Sequence, residues 1–282
     1  MVYEHCIGTI NIKELSVKRN SPEEALKKYI EKKYSNTLNL DVLKELKKPE
    51  YRDELVNNNI IIAKQAISES ITREQFILQT INAIEELDKI CNNMSKRLRE
   101  WYGYYLPEII NKIEDNEIFV RMILEKDKKE LIKDFNIQKS MGIIEETIKK
   151  EDIETIINYA FILKRLFEER EILKNYLEEL MTEICPNLHK ITGTIIGARL
   201  IEKAGSLKKL SLMPSSTIQL LGAEKSLFRH LRNKNIRPPK HGIILNHPSV
   251  LDSKNKGKAA RQLAAKISIA SKIDYFKVNG GK

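Results

Sequence analysis

The stretch ILQTINAIEELDKICNNMSKRLREWYGYY, residues 77–105, decides the fold. Its apolar positions Ile77, Ile81, Ile84, Leu87, Cys91, Met94, Leu98, Trp101 and Tyr105 step by four, three, three, four, three, four, three and four. That spacing approximates a heptad seam with one irregular step, and it predicts one long helix over about 59–106. Pro107 ends it, because proline has no amide to donate and its ring clashes with the preceding turn. Residues 152–184 repeat the pattern through Ile153, Ile156, Ala160, Leu163, Phe167, Leu177, Leu180 and Ile184, and Cys185-Pro186 closes it. With smaller helical pieces over 108–150, the two helices predict a long antiparallel coiled-coil hairpin. An ordinary bundle core has the same periodicity, but helices this long exceed what a compact domain usually needs. Ile84, Leu87, Cys91, Met94, Leu98 and Trp101 are accordingly the expected coiled-coil and dimer contacts.

Working outward, Ser21-Pro22-Glu23-Glu24 has the serine, proline and glutamate order of a helix start. Leu26, Tyr29 and Ile30 then make one apolar face, and Cys6 to Leu15 reads as a strand. The chain divides into a small α+β module over 1–58, the hairpin over 59–186 and a basic third domain over 187–278. That third domain reads as short helices. One runs from Thr194 to Lys203 and stops at Gly205, one opens at Pro214, one spans Ala223 to Leu231, and a final one runs from Lys256 to Ile273. Ile243-Ile244-Leu245 reads as strand-like. The fold class expected is mostly α, with a reduced α+β N-terminal module.

Charge is partitioned along the 282 residues. The net charge of +10 conceals 19 Lys and Arg against 4 Asp and Glu over residues 187–282, whereas residues 1–186 carry 30 bases and 35 acids. Positive charge concentrated in one domain points to a polyanion, and nucleic acid is the commonest. The densest part is LLGAEKSLFRHLRNKNIRPPKHG, residues 220–242. Lys225, Arg229 and Arg232 fall on one helical face, while Leu227, Phe228 and Leu231 form a face expected to pack. Gly222 permits close backbone approach and is expected to leave amides free for phosphate. Pro238-Pro239 stiffens the loop that carries Lys240 and His241, and Lys254, Lys258 and Arg261 align on the last helix. A DNA-binding helix-turn-helix is the rival reading. The scarcity of amide side chains for base edges and the glycine- and proline-rich loops favour an irregular RNA.

Enzyme chemistry finds little support. There is no GxxxxGK[ST], GxGxxG, HExxH or GxSxG pattern. Cys6, Cys91 and Cys185 are scattered, which argues for reduced thiols, and the histidines lack metal-ligand spacing, so neither a metal nor a cofactor is expected. No secretion signal and no 18-residue apolar window is visible, so a cytoplasmic protein without membrane contact is expected.

Three segments, GARLIEKAGSLKKLSLMPSSTIQLLGAEKSLFRHL (197–231), RPPKHGIILNHP (237–248) and KGKAARQLAAKISIASKID (256–274), resemble the Nop domain of box C/D ribonucleoprotein scaffold proteins. LDKICNNMSKRLREWYGYYLPE (87–108) is similar to that family's coiled coil. The resemblance covers roughly residues 55–276. It implies a non-catalytic scaffold for guided RNA 2′-O-methylation. The partners implied are a box C/D guide RNA with a kink-turn, a ribosomal-protein-like kink-turn protein, fibrillarin, and a second copy through the coiled coil. It implies an interface role for Gly222, Ala223, Glu224, Lys225, Arg229 and His230; Gln219, Arg232, Lys240, His241, Lys258 and Arg261 join them on charge and position. The first module is shorter than the family's usual one, and the alternative is a kink-turn assembly factor that recruits no methyltransferase. Together with the lack of a long lysine-rich tail, the pattern implies an archaeal, cytosolic relative.

Overall fold

The computed structural model describes residues 2–6, 8–11, 16–34, 40–137 and 148–279. They form two compact units, Met1–Thr72 and Arg73–Lys282.

In the first unit, β1 (Val2–Glu4), β2 (Gly8–Asn11) and β3 (Ser16–Arg19) make an antiparallel sheet with β2 in the centre. Ile10 stands opposite Tyr3 and Val17. The strand expected from Cys6 is thus β2 alone; Cys6 sits in the turn before it, where His5 and Gly8 exchange backbone hydrogen bonds of 3.0 and 3.1 Å. Residues 12–15 lie outside the described residues. Helix α1 (Pro22–Ile30) opens with the expected capping box, in which the Ser21 side chain accepts from the Glu24 amide and Glu24 accepts from the Ser21 amide. Then come α2 (Leu40–Leu46), a 3-10 turn over Pro49–Tyr51, and α3 (Arg52–Ser70). Cys6, Ile10, Leu46 and Tyr51 form the small core.

The helix expected over 59–106 is broken. α3 stops at Ser70, Ile71 is extended, and α4 spans Arg73–Tyr105. The sequence carries the reason: Thr72-Arg73-Glu74-Gln75 has the S/T-x-x-E/Q pattern of a helix start, which overrides the continuing apolar periodicity. Residues 59–72 therefore belong to the first unit.

In the second unit α4 pairs with α7 (Lys150–Ile184). Arg73 meets Glu183, Asp88 meets Arg170 and Trp101 meets Tyr159, so the two run antiparallel. Between them lie a 3-10 turn over Pro107–Ile109, α5 (Asn116–Glu125) and α6 (Lys128–Asp134). The buried face of α4 follows Ile77, Ile81, Ile84, Asp88, Cys91, Ser95, Leu98 and Tyr102, a regular alternation of four and three with Asp88 half-buried. The irregular step disappears. Polar Asp88 and Ser95 occupy seam positions, so a reading confined to apolar residues slips by one onto Leu87, Met94 and Trp101. Leu87 and Met94 are half-buried, and Trp101 is 36% exposed.

The seam thus serves as the coiled-coil contact within the chain's own hairpin. Ile84, Cys91 and Leu98 are buried inside the chain's own hairpin and have no surface to offer a second copy. On α7 the facing positions Ala160, Leu163, Phe167, Arg170, Leu177 and Met181 complete the packing. The polar layer of Asp88 and Arg170 lies between two apolar clusters, one around Leu98, Tyr102, Phe119 and Leu163, the other around Ile81, Leu177 and Met181.

The second cluster continues into α8 (Pro186–Thr192), α9 (Thr194–Ala204), α10 (Leu207–Leu212), α11 (Ser215–Leu220), α13 (Pro248–Leu251) and α14 (Lys256–Asn279), whereas α12 (Glu224–Arg232), between α11 and α13 in the chain, adds no residue to it. α14 is central and packs on α8, α10, α11 and α13. Near its end the buried Asp274 accepts from the backbone amides of Asn187 and Leu188, at 3.1 and 2.8 Å, and so caps α8. Ile243–Asn246 is a 3-10 turn, not the expected strand. It buries Ile244, while Gly242 donates to Gln219 O in the last turn of α11 and Ile243 to Leu221 O just after it; a strand needs a continuous neighbour, and these two bonds do not extend into one.

Candidate nucleic-acid interface

Two chain segments meet at the base of the basic stretch. The Gly242 amide donates to Gln219 O at 2.9 Å and the Ile243 amide to Leu221 O at 2.8 Å. The Gln219 side-chain amide donates to Lys240 O at 2.6 Å. The approach is close enough to demand glycine on both sides. A Cβ on Gly242 would lie 2.0 Å from Leu221 O, and one on Gly222, where φ is +87°, would lie 2.5 Å from the Ile243 side chain. Gln219 thus braces the loop that carries Lys240 and His241.

The amides expected to be free at Gly222 are not. Gly222 N–H donates to the Glu224 carboxylate at 2.6 Å, and Ala223 N–H to Leu220 O at 2.8 Å. Glu224 holds the turn that launches α12, as an acid at a helix start does. Beyond it, α12 receives no side-chain cap and none of its residues is buried. Lys225, Arg229 and Arg232 are exposed on one face. The apolar residues do not all pack as expected: Leu227 is half-buried, but Phe228 and Leu231 are 60% and 62% exposed. His230 Nδ1 donates to Ile236 O at 2.5 Å; the carbonyl can only accept, so this nitrogen carries a proton and Nε2 faces away from the bond. That bond ties α12 to the loop.

The loop over 233–242 leads to α14. Lys240 lays its aliphatic stem along Gly257, where an added Cβ would stand 3.7 Å from Lys240 Cδ, so Lys240 joins the start of α14 near Lys258. Asn255 caps α14 by accepting from the Lys258 amide at 3.1 Å. Arg261 follows on the helix and is exposed. Among the described residues, none of Lys225, Arg229, Arg232, Lys234, Arg237, Lys240, Lys258 and Arg261 forms an ion pair, while Arg199 is paired with Glu85 at 2.7 Å. A helix start lined with unneutralised cations is intrinsically unfavourable against its dipole, and an anion relieves it.

The structure thus gathers Gln219, Gly222, Glu224, Lys240 and His241 around one brace, lays the Lys240 stem along Gly257 next to Lys258 in the chain, and sets Lys225, Arg229, His230 and Arg232 on α12 with Ala223 at its start. Among the described residues no hydrogen bond links the α12 cations to Arg261. Lys234 and Arg237, which the sequence shows among the cations of the stretch but does not assign to the interface, are exposed in the same loop, and Phe228 and Leu231 are exposed beside them. The charges were visible in the sequence. Exposure of the apolar pair was not, because amphipathic periodicity does not say whether a face is covered. Among the described residues no group of three or more histidine, cysteine, aspartate or glutamate side chains is placed to hold a metal, and no helix is long and apolar enough to cross a membrane.

The chain matches known proteins over this region. The family described as "Nop: snoRNA binding domain, fibrillarin" matches residues 83–282. A NOP5 family protein of Methanocaldococcus jannaschii is 43% identical over 218 residues, 72% of this chain and 52% of its own length. Nucleolar protein 56 of Homo sapiens is 37% identical over 222 residues, 72% of this chain and 37% of its own length. Its counterpart from Saccharomyces cerevisiae is 38% identical over 226 residues, 72% of this chain and 44% of its own length. The chain therefore spans about half or less of the curated relatives it matches. A solved chain in a fibrillarin/Nop5p complex aligns with a TM-score of 0.46 and 22% identity, covering 98% of this chain and 92% of that one, a likeness too loose to bear on function. The matched residues take in most of the hairpin and the whole basic interface, and the chain belongs to the Nop family.

Proposed function

We propose that this chain is the non-catalytic scaffold of a box C/D guide ribonucleoprotein for RNA 2′-O-methylation. In this reading the basic interface binds a kink-turn RNA together with a ribosomal-protein-like kink-turn protein. The second unit supports self-association, and the Met1–Thr72 unit holds fibrillarin, which performs the methyl transfer. The single observation that carries the reading is α12. It has no buried residue, unpaired cations along one face and bare Phe228 and Leu231 beside them. A purely electrostatic RNA binder needs only the cations. The apolar face asks for an apolar surface beside the phosphates, which a protein already seated on the RNA supplies. Family membership supports the same partners.

The test is a salt titration of binding to a kink-turn RNA carrying its protein. Arg229→Ala should weaken binding and lower the log–log salt slope by about one, the loss of one phosphate contact. An unchanged slope removes Arg229 from the phosphate contacts. Co-precipitation with the cognate fibrillarin then separates the full scaffold from the alternative. Failure to capture it leaves a kink-turn assembly factor without methyltransferase recruitment.

A further inference from the structure

Residues 222–242 leave the body of the second unit and return to it at one neck. Not one residue from Gly222 to Ile243 is buried, whereas Leu221 before them and Ile244 after them are. Among the described residues, every hydrogen bond of residues 222–241 ends within 219–241, so the segment is tied to itself and not to the core. The bond from His230 to Ile236 O, and the turn in which Ile236 N–H donates to Asn233 O at 3.0 Å, make α12 and its loop one piece. The neck is the pair of backbone bonds from Gly242 and Ile243 to Gln219 and Leu221, with a glycine on each side. A piece fastened only there, and burying no side chain elsewhere, turns as a rigid body at little free-energy cost.

Charge gives that motion a direction. The segment carries Lys225, Arg229, Arg232, Lys234, Arg237 and Lys240 against one acid, Glu224, whose carboxylate is held by the Gly222 amide. The body next to the neck carries Lys254, Lys256, Lys258 and Arg261 against Asp252 alone, and the Lys240 stem beside Gly257 brings the two sets close. Like charges on the two sides of a hinge repel, and a phosphate backbone between them reverses the sign. We infer that residues 222–242 are a hinged cationic clasp, held open in the free protein by repulsion from the start of α14 and drawn shut over a phosphate backbone. The Gln219 side chain, bonded to Lys240 O, limits the swing. The inference rests on the nucleic-acid part of the functional reading and adds a motion to it.

Spin labels on Ser226→Cys in α12 and Ala265→Cys in α14, both exposed, follow the clasp by double electron–electron resonance on the full chain; the native cysteines are buried and stay unlabelled. The free protein should show a broad distance distribution. Its mean should shorten from about 0.1 M to about 1 M salt, as the screening length falls from about 10 Å to about 3 Å. A kink-turn RNA carrying its protein should collapse the distribution to one shorter distance. Gln219→Ala should widen the free distribution and leave the bound distance as in wild type. A single narrow distance that neither salt nor bound RNA moves overturns the clasp and leaves the functional reading standing. So does RNA that binds without shortening the distance. RNA that fails to bind, while salt still shortens the distance, overturns the functional reading and upholds the hinge.

Discussion

Gln219 and Arg229 occupy the same interface, yet their environments give them different work. Arg229 is an exposed, unpaired cation, so its contribution to RNA binding is Coulombic and salt-dependent. Gln219 is half-buried and spends its amide on the Lys240 carbonyl. Gln219→Ala should therefore weaken RNA binding about fivefold, the equivalent of one hydrogen bond of about 1 kcal/mol, through a looser loop. Its salt slope should match wild type, and a slope reduced like that of Arg229→Ala would make Gln219 an electrostatic contact instead. Both residues were legible as interface candidates in the sequence. The distinction between them was not, because it depends on a carbonyl 21 positions away along the chain.

At the level of elements, the hairpin turns on its polar layer. Arg170 reaches Asp88 at 3.3 Å, and Glu117 and Glu171 each at 3.2 Å, while its guanidinium stands 5.2 Å from the Phe167 ring. Burial works against the Arg170 charge, but the attraction of Asp88, Glu171 and Glu117 more than offsets it and raises the pKa. Charged layers of this kind stabilise little overall but set helix register. Arg170→Met should lower the stability of the second unit by about 1–2 kcal/mol, a figure discounted because Asp88 stays partly solvated. Asp88→Leu combined with Arg170→Met should return it to wild type or above. Urea unfolding of the three proteins decides the matter, and a double variant weaker than the single one would show that the pair itself stabilises the hairpin. The two long helices were legible from apolar spacing, but the register was not: an aspartate and a serine sit where the spacing rule looks for leucine.

Across the whole second unit, one core runs from the hairpin base through α14, and Cys185 lies inside it where α7 passes into α8. Burial pushes its thiol up to about 12, with the Asp274 and Glu74 carboxylates adding to the shift. The folded pKa lies above the unfolded value of 9.0, so this contribution is fully present below pH 9 and is lost as pH rises towards 12. Thermal melts should show stability falling above pH 9. By pH 11 the loss from this thiol is about 2–3 kcal/mol. Cys185→Ala should flatten that alkaline decline, and an identical decline in both proteins would assign it to other groups, such as Tyr102, whose burial also raises its pKa. The sequence by itself determined the helical class, the charge partition and the position of the basic stretch, because composition and 3.6-residue periodicity are local properties of the chain. Tertiary structure alone decided that the α4 seam is filled by α7 and that Phe228 and Leu231 of α12 stand bare. Each of these depends on which distant segment covers a face, and hydrophobic burial has no direction until the chain has folded.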